Sequence, residues 1–263
     1  MSFFSVQGIT AGYGNRPIVE NVTFDIEEGT LLGIIGANGS GKTTLLKAIC
    51  GILPHKGSCT LDGVSLERLP PKKLAGLSGY IPQRSGISID ISALDVVLMG
   101  FNPQLGLLER PDASMKEKAR AALLQVGLSE HENENYLHLS EGQRQLCILA
   151  RTLAADEKLL LLDEPESALD FRFRYHVLSL LRRWLREGER CGLVTLHDPM
   201  LALNHCDRLL LLSDGKVQGM LSPGSDPAER MERELSAIYG PVSLQRCTGR
   251  DGKSHLIMLR EEK

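Results

Sequence analysis

The segment VTFDIEE alternates apolar Val22, Phe24 and Ile26 with polar neighbours, which predicts a half-buried strand. LLGIIG follows as an unbroken apolar run, and the four-leucine runs Leu159 to Leu162 and Leu209 to Leu212 repeat it between Asp, Glu and Gly. Runs of this kind predict strands covered on both faces. Between the last two, Val177, Leu178, Leu181, Trp184 and Leu185 recur at helical spacing. TTLLKAICGIL, after a glycine-rich turn, predicts another helix. Strands alternating with helices specify an α/β chain whose parallel sheet is covered on both faces. From about residue 82 to 139 the pattern turns helical and loop-like, with the polar run SEHENENY near its end, which predicts a helical insertion into the sheet domain. After Gly219 come a Pro/Gly-rich linker, an expected acidic-basic helix from Pro227 to Ile238 and an expected hairpin over SLQRCTGRDGKSHLIMLR. No internal repeat is visible.

Composition narrows the class. The chain has 263 residues, 42% of them apolar, with 30 basic and 33 acidic side chains and a net charge of −3. A globule of this size buries roughly 70–75% of its unfolded surface, enough for a substantial core. Disorder, collagen and a disulfide scaffold do not fit this balance, and the charge gives no reason to expect a nucleic-acid partner. The longest apolar run, Leu31 to Ala37, has seven residues, far short of the roughly 20 a membrane helix needs. MSFFSVQG lacks the basic residues and apolar stretch of a secretory leader, so none is expected. The six cysteines are scattered without a CxxC pair, and reduced, mostly buried thiols with no metal or redox role are expected.

Three motifs carry chemistry. GANGSGKT, Gly36 to Thr43, stands between a strand and a helix. Gly36, Asn38, Gly39, Ser40 and Gly41 let successive N–H groups turn toward a phosphate chain, and the helix dipole adds to them. Lys42 would reach the β- and γ-phosphates, the Thr43 hydroxyl would join a Mg²⁺ shell, and Thr44 adds a hydroxyl near the α-phosphate. The motif's fixed positions arise by chance in about one chain in a hundred of this length. The second motif, LLLLDEP, ends a buried strand in Asp163 at the edge where ligands of open α/β sheets gather. Asp163 would hold Mg²⁺, and Glu164 suits a general base for an attacking water. Alone, the pair reads equally well as strand-end acids facing solvent. The third, LSEGQRQ, opens a helix. Ser140 reads as its N-cap, and the same geometry presents a hydroxyl and free N–H groups to an anion.

In this order the motifs resemble those of the nucleotide-binding subunits of ABC transporters, along nearly the whole chain. GANGSGKT resembles the family's Walker A, LLLLDEP its Walker B and LSEGQ its signature. The resemblance implies an α/β fold with a P-loop NTPase (RecA-like) parallel-sheet core, an N-terminal antiparallel β subdomain and an inserted α-helical subdomain. It divides the chain into an ATP-binding core (1–83 and 156–219), a helical and signature subdomain (84–155) and a C-terminal appendage (220–263). Tyr13 matches the aromatic that stacks on adenine, although a core or surface tyrosine would look the same. Gln83 in YIPQ matches the glutamine linking the metal site to the helical insertion, SALD with Asp170 matches the D-loop, and His197 in VTLHD matches the switch histidine at the γ-phosphate. ATP and Mg²⁺ are implied. So is a head-to-tail pair of ATPase chains in which Ser140, Gly142 and Gln143 of one copy face the Walker motifs of the other. Permease subunits, an indirect link to an external substrate-binding protein and a peripheral place at the cytoplasmic face of the membrane follow from the same likeness.

Two departures stand out. The usual signature has Gly where Glu141 stands, and the usual residue at Glu166 is Thr. Either Glu141 points away from the phosphate, the favoured reading, or this half-site closes weakly. Val96 to Gly106, VVLMGFNPQLG, resembles the corresponding segment in importers of iron–siderophore, haem and cobalamin, whose common form is Gly-Arg-x-Pro-His. Gly100 and Pro103 match, whereas Phe101 and Gln104 depart. PPKKLAGLSGYIPQ and the late IYG also resemble that group. A metal-chelate importer is therefore expected, with a zinc or manganese ion importer or a small exporter as alternatives. A soluble ABC ATPase acting on DNA or ribosomes commonly carries tandem domains, a long coiled coil or zinc-binding inserts, which this chain lacks. A simple kinase has no need of LSEGQ or His197.

Overall fold

The computed structural model describes residues 2–83, 86–250 and 252–261. Strands β1 (Phe4–Tyr13) and β2 (Arg16–Ile26) form a hairpin in which Tyr13 pairs with Arg16. Gly14 in the turn has φ 60°, the left-handed conformation that tight hairpin turns demand. β3 (Leu31–Ile35) and α1 (Lys42–Ile49) come next, then β4 (His55–Leu61) and β5 (Val64–Ser65). The first sheet is antiparallel, in the order β2-β1-β4-β5. α2 (Pro71–Ala75) leads to β6 (Ser78–Ile81). Between β6 and the next strand lie α3 (Ala93–Leu98), α4 (Ala113–Gln125) and α5 (Glu141–Ala155), which pack on one another. β7 (Leu159–Asp163), α6 (Phe171–Arg186), β8 (Cys191–Thr195), α7 (Pro199–His205), β9 (Arg208–Ser213) and β10 (Lys216–Leu221) follow. The second sheet runs β10-β9-β3-β8-β7-β6, parallel except for its last hairpin. α8 (Ala228–Tyr239) and the hairpin of β11 (Val242–Thr248) and β12 (Ser254–Arg260) complete the chain. Among the described residues no helix is long and apolar enough to cross a membrane.

The unbroken leucine runs divide between two cores with the period of a strand. Leu31, Ile35, Leu160, Leu162, Leu209 and Leu211 join the core formed with α5, α6 and the inserted helices. Leu32, Ile34, Leu159, Leu161, Leu210 and Leu212 face the other way, against α1 and the antiparallel sheet. Both faces are covered, so no polar residue is tolerated inside these strands. Because β3, β6, β7 and β8 are parallel, their C-terminal ends share one edge, with Asp163 paired to Thr195 and Leu162 to Ile81. Open α/β sheets bind ligands at that edge.

Glu166, in the turn between β7 and α6, is 3% exposed, and its Oε2 has no hydrogen-bond partner among the described residues. Burial pushes its carboxyl up to about 7, against hydrogen bonds from its own N–H and that of His197, with nearby Glu164 adding to the rise. The fold therefore favours the protonated acid. The stability it contributes is complete below the ordinary carboxylate range and is lost as pH rises toward 7. Glu166→Gln removes this titration. Urea unfolding at pH 5 and pH 8 should show that the wild type loses of order 1–3 kcal/mol more than the variant over that interval.

Candidate functional site

The turn from β3 into α1 begins where Gly36 runs against β9. A Cβ at Gly36 would lie 2.0 Å from the Leu212 carbonyl oxygen, and no larger residue fits. Gly41, at φ 101°, reverses the chain into α1 in a conformation that L side chains avoid. α1 has no side-chain cap, so its first N–H groups are left for an anion. The Lys42 side chain curls back, donating from Nζ to the carbonyls of Gly36 (2.9 Å) and Ala37 (3.2 Å). Burial lowers its pKa, while Glu164 and Asp163 pull it upward. Ser40, 5% exposed, has a hydroxyl with no hydrogen-bond partner among the described residues. An orphaned donor, an uncapped helix and a lysine resting on carbonyls fit a phosphate chain.

At the end of β7, Asp163 Oδ1 accepts from the hydroxyls of Thr43 (3.0 Å) and Thr195 (2.9 Å), and Oδ2 accepts from Tyr80 at 3.4 Å. Thr195 also accepts the Glu164 N–H at 3.0 Å. Glu164 has φ 52°, a costly region for a residue with a Cβ, and the buried Thr195 bond holds it there. Its carboxylate is gripped from two sides. Gln83 Nε2 donates to Oε2 at 2.5 Å, and His197 Nε2 lies 2.6 Å from Oε1. A cleft of about 480 Å³ is lined by Tyr13, Ile18, the stretch 38–44, Gln83, Glu164 and His197. The hydroxyl of Thr43 and the carboxylate of Asp163 form a hard-oxygen donor set suited to Mg²⁺.

Ser140, Gly142, Gln143 and Asp170 are not in that cleft. They line a second one of about 590 Å³, together with Ala168, Leu169 and Phe173. Ser140 caps α5 in a reciprocal box. Its Oγ accepts from the Gln143 N–H (3.3 Å), and its own N–H donates to Gln143 Oε1 (2.9 Å). Gln143 Nε2 lies 3.1 Å from His131 Nε2, whose Nδ1 faces Glu134 at 2.6 Å. Asp170 caps α6 by accepting the Phe173 N–H at 3.0 Å. The Glu141 side chain is 58% exposed, turns toward Arg144 at 3.9 Å, and is not among the residues lining the cleft.

Sequence reasoning missed Thr195, Tyr80, His131 and the contact between Glu166 and the backbone of His197. Thr195 was accessible in principle, since a strand pairing in register with LLLLD places it opposite Asp163. Tyr80 and His131 carry no local signal, because their roles arise from packing between distant segments.

The sequence profile of the ABC transporter family matches residues 19–167. The chain is 35% identical over 214 residues to the manganese transport system ATP-binding protein MntB of Bacillus subtilis (strain 168), covering 81% of this chain and 84% of that one. It is 34% identical over 253 residues to the hemin import ATP-binding protein HmuV of Vibrio cholerae serotype O1 (strain ATCC 39315 / El Tor Inaba N16961), covering 93% and 94%. A chain of a transporter assigned to the metal-chelate type, solved facing inward, superposes with a TM-score of 0.82 at 27% identity, with 99% of both chains covered. With its P-loop NTPase fold and these relatives, the chain belongs to the ABC transporter family as one of its ATP-binding ATPases.

Proposed function

We propose that this ATPase drives import of a metal chelate, of the iron–siderophore, haem or cobalamin class, through a membrane permease fed by an external substrate-binding protein. The observation carrying this reading is the likeness to chains named for haem and metal-chelate transport over 93% and 99% of the sequence. The segment Val96 to Gly106 points the same way. Import of manganese ions is the second reading, supported by the identity to a manganese system. The chain works at the cytoplasmic membrane face, with residues 1–83 and 156–219 binding ATP, 84–155 meeting the permease, and 220–263 appended.

Within the ATPase, Gly36, Asn38, Gly39, Ser40, Gly41 and Thr44 cradle the phosphates, and Tyr13 stacks on the adenine. Lys42 exchanges its loop carbonyls for phosphate oxygens. Thr43, Asp163 and Gln83 hold Mg²⁺, which when bound neutralises charge on the phosphoryl oxygens. Glu164 takes the proton of the attacking water, and the clamp of Gln83 and His197 fixes its carboxylate. Ser140, Gly142 and Gln143 of a second copy complete the site, with Asp170 beside them. The disjoint linings of the two clefts support this division into half-sites.

Glu164→Gln should cut ATP turnover by about 10²-fold or more and yield a dimer with ATP and Mg²⁺ on size-exclusion chromatography. A variant that stays monomeric and hydrolyses normally refutes the base assignment. Glu141→Gly should change turnover by less than about tenfold, because Glu141 is exposed and faces Arg144; steady-state ATPase assays check this. To identify the solute, the co-purified transporter is reconstituted with its binding protein and ATP hydrolysis is measured with ferric siderophore, haem, cobalamin and Mn²⁺. Stimulation by a chelate is expected, and stimulation by Mn²⁺ alone selects the second reading.

A further inference from the structure

The antiparallel sheet holds a side-chain cluster that the nucleotide chemistry does not use. His55, Cys59 and Glu67 each offer one ligand atom, and these atoms lie within 4.8 Å of one another. The strand geometry explains the meeting. His55 and Cys59 both belong to β4, and between them Gly57 sits at φ 95° where the pairing with β1 slips register. The slip bends the strand, and Glu67 closes the cluster from the short 3₁₀ turn Leu66–Arg68.

Each group is oriented as a ligand. His55 Nδ1 lies 3.3 Å from the Leu53 carbonyl, which fixes the proton on that nitrogen and leaves Nε2 as a lone pair. Nε2 is buried without a hydrogen-bond partner among the described residues and stands 3.6 Å from Glu67 Oε1, in a side chain only 11% exposed. With the proton on Nδ1, Nε2 and the carboxylate face each other as two ligand atoms; with the ring protonated, Nε2 would instead donate to Glu67. The carboxylate is itself held in place, taking the Cys59 N–H on Oε1 and the Ser65 hydroxyl on Oε2. Cys59 is 1% exposed, and burial, with Glu67 beside it, pushes its thiol pKa up. The thiol keeps its proton until a cation displaces it.

We propose that His55, Cys59 and Glu67 form a binding site for a borderline divalent transition ion, zinc being the best match, with three protein ligands and a fourth position open to solvent. Imidazole, thiolate and carboxylate are the ligand types zinc takes in combination. Binding forms bonds from the ion to Nε2, Sγ and a carboxylate oxygen and releases the Cys59 proton to water. The register pairs His55 with Ala11, two residues before Tyr13, so a bound ion would clamp β4 beside the hairpin that carries Tyr13.

The full chain with Cys247→Ser, which removes the exposed thiol, is titrated without nucleotide in excess Mg²⁺. Zinc is followed by competition with a chromophoric chelator and Co²⁺ by its absorption. One ion per chain and a thiolate-to-cobalt charge-transfer band are expected. His55→Gln and Glu67→Gln should each weaken zinc binding by about tenfold or more, and Cys59→Ser should abolish the band. Zinc should raise the melting midpoint of the parent and not of the His55→Gln chain. Cys59 is 1% exposed and the His55 side chain 11%, so the less deeply buried His55 variant decides the matter if the Cys59 variant does not fold. Equal zinc affinity in parent and His55→Gln, or a cobalt spectrum without the thiolate band, overturns the site in favour of a simple imidazolium–carboxylate pair.

Discussion

The arrangement hangs on the Asp163 carboxylate, 3% exposed at the end of a fully buried strand. A charge placed there must be met by donors. Those donors come from three segments far apart in sequence: Thr43 opening α1, Thr195 ending β8 and Tyr80 in β6. One carboxylate thus sets the position of the phosphate loop relative to the sheet. Its Thr195 partner also holds the left-handed backbone of Glu164. The same contacts that satisfy a buried acid fix Thr43, Glu164 and the turn before α1 relative to one another.

That dependence explains why much of the candidate site was legible in the sequence and some was not. GANGSGKT and LLLLDEP are local, since their chemistry follows from a turn geometry and a strand end, and both could be read without knowing what packs beside them. The core strands were legible for a related reason: a run such as Leu159 to Leu162 must be covered on both faces, and the structure divides it between two cores. Thr195 depended on the register of β7 against β8, which no local pattern encodes. The cluster of His55, Cys59 and Glu67 depended on a bend at Gly57 and a turn beyond β5. In one dimension Cys59 is only a small apolar residue in a strand, and its meeting with His55 and Glu67 is not visible there.

The signature residues show a helix cap that also lines a cleft. As a helix cap, Ser140 and Gln143 satisfy each other, and His131 fixes the remaining amide nitrogen of Gln143. Capping therefore needs no ligand, as the sequence allowed. Yet the cap also holds the Ser140 hydroxyl and Gly142 rigidly against a cleft, which is the preorganisation an anion site requires. Glu141 does not disturb this because its position at the start of α5 aims it at Arg144. A carboxylate in the first turn is also favoured by the helix dipole. The residue that departs from the usual signature is thus accommodated by the geometry of the helix that carries it.

The nucleotide cleft is internally bonded rather than vacant of interactions. Lys42 has two carbonyls, Thr43 has Asp163, and Glu164 has Gln83 and His197. In the proposed placement a triphosphate would exchange several of these bonds for its own, and hydrogen-bond exchange of this kind is worth little net energy per bond. In that placement affinity would come from the Ser40 hydroxyl, without a partner among the described residues, and the uncapped end of α1. The exchanged bonds give selectivity instead. A smaller anion could occupy the cradle without drawing Lys42 off its carbonyls or reaching the clamp on Glu164, so only a ligand long enough to span from α1 to β7 engages both halves of the cleft.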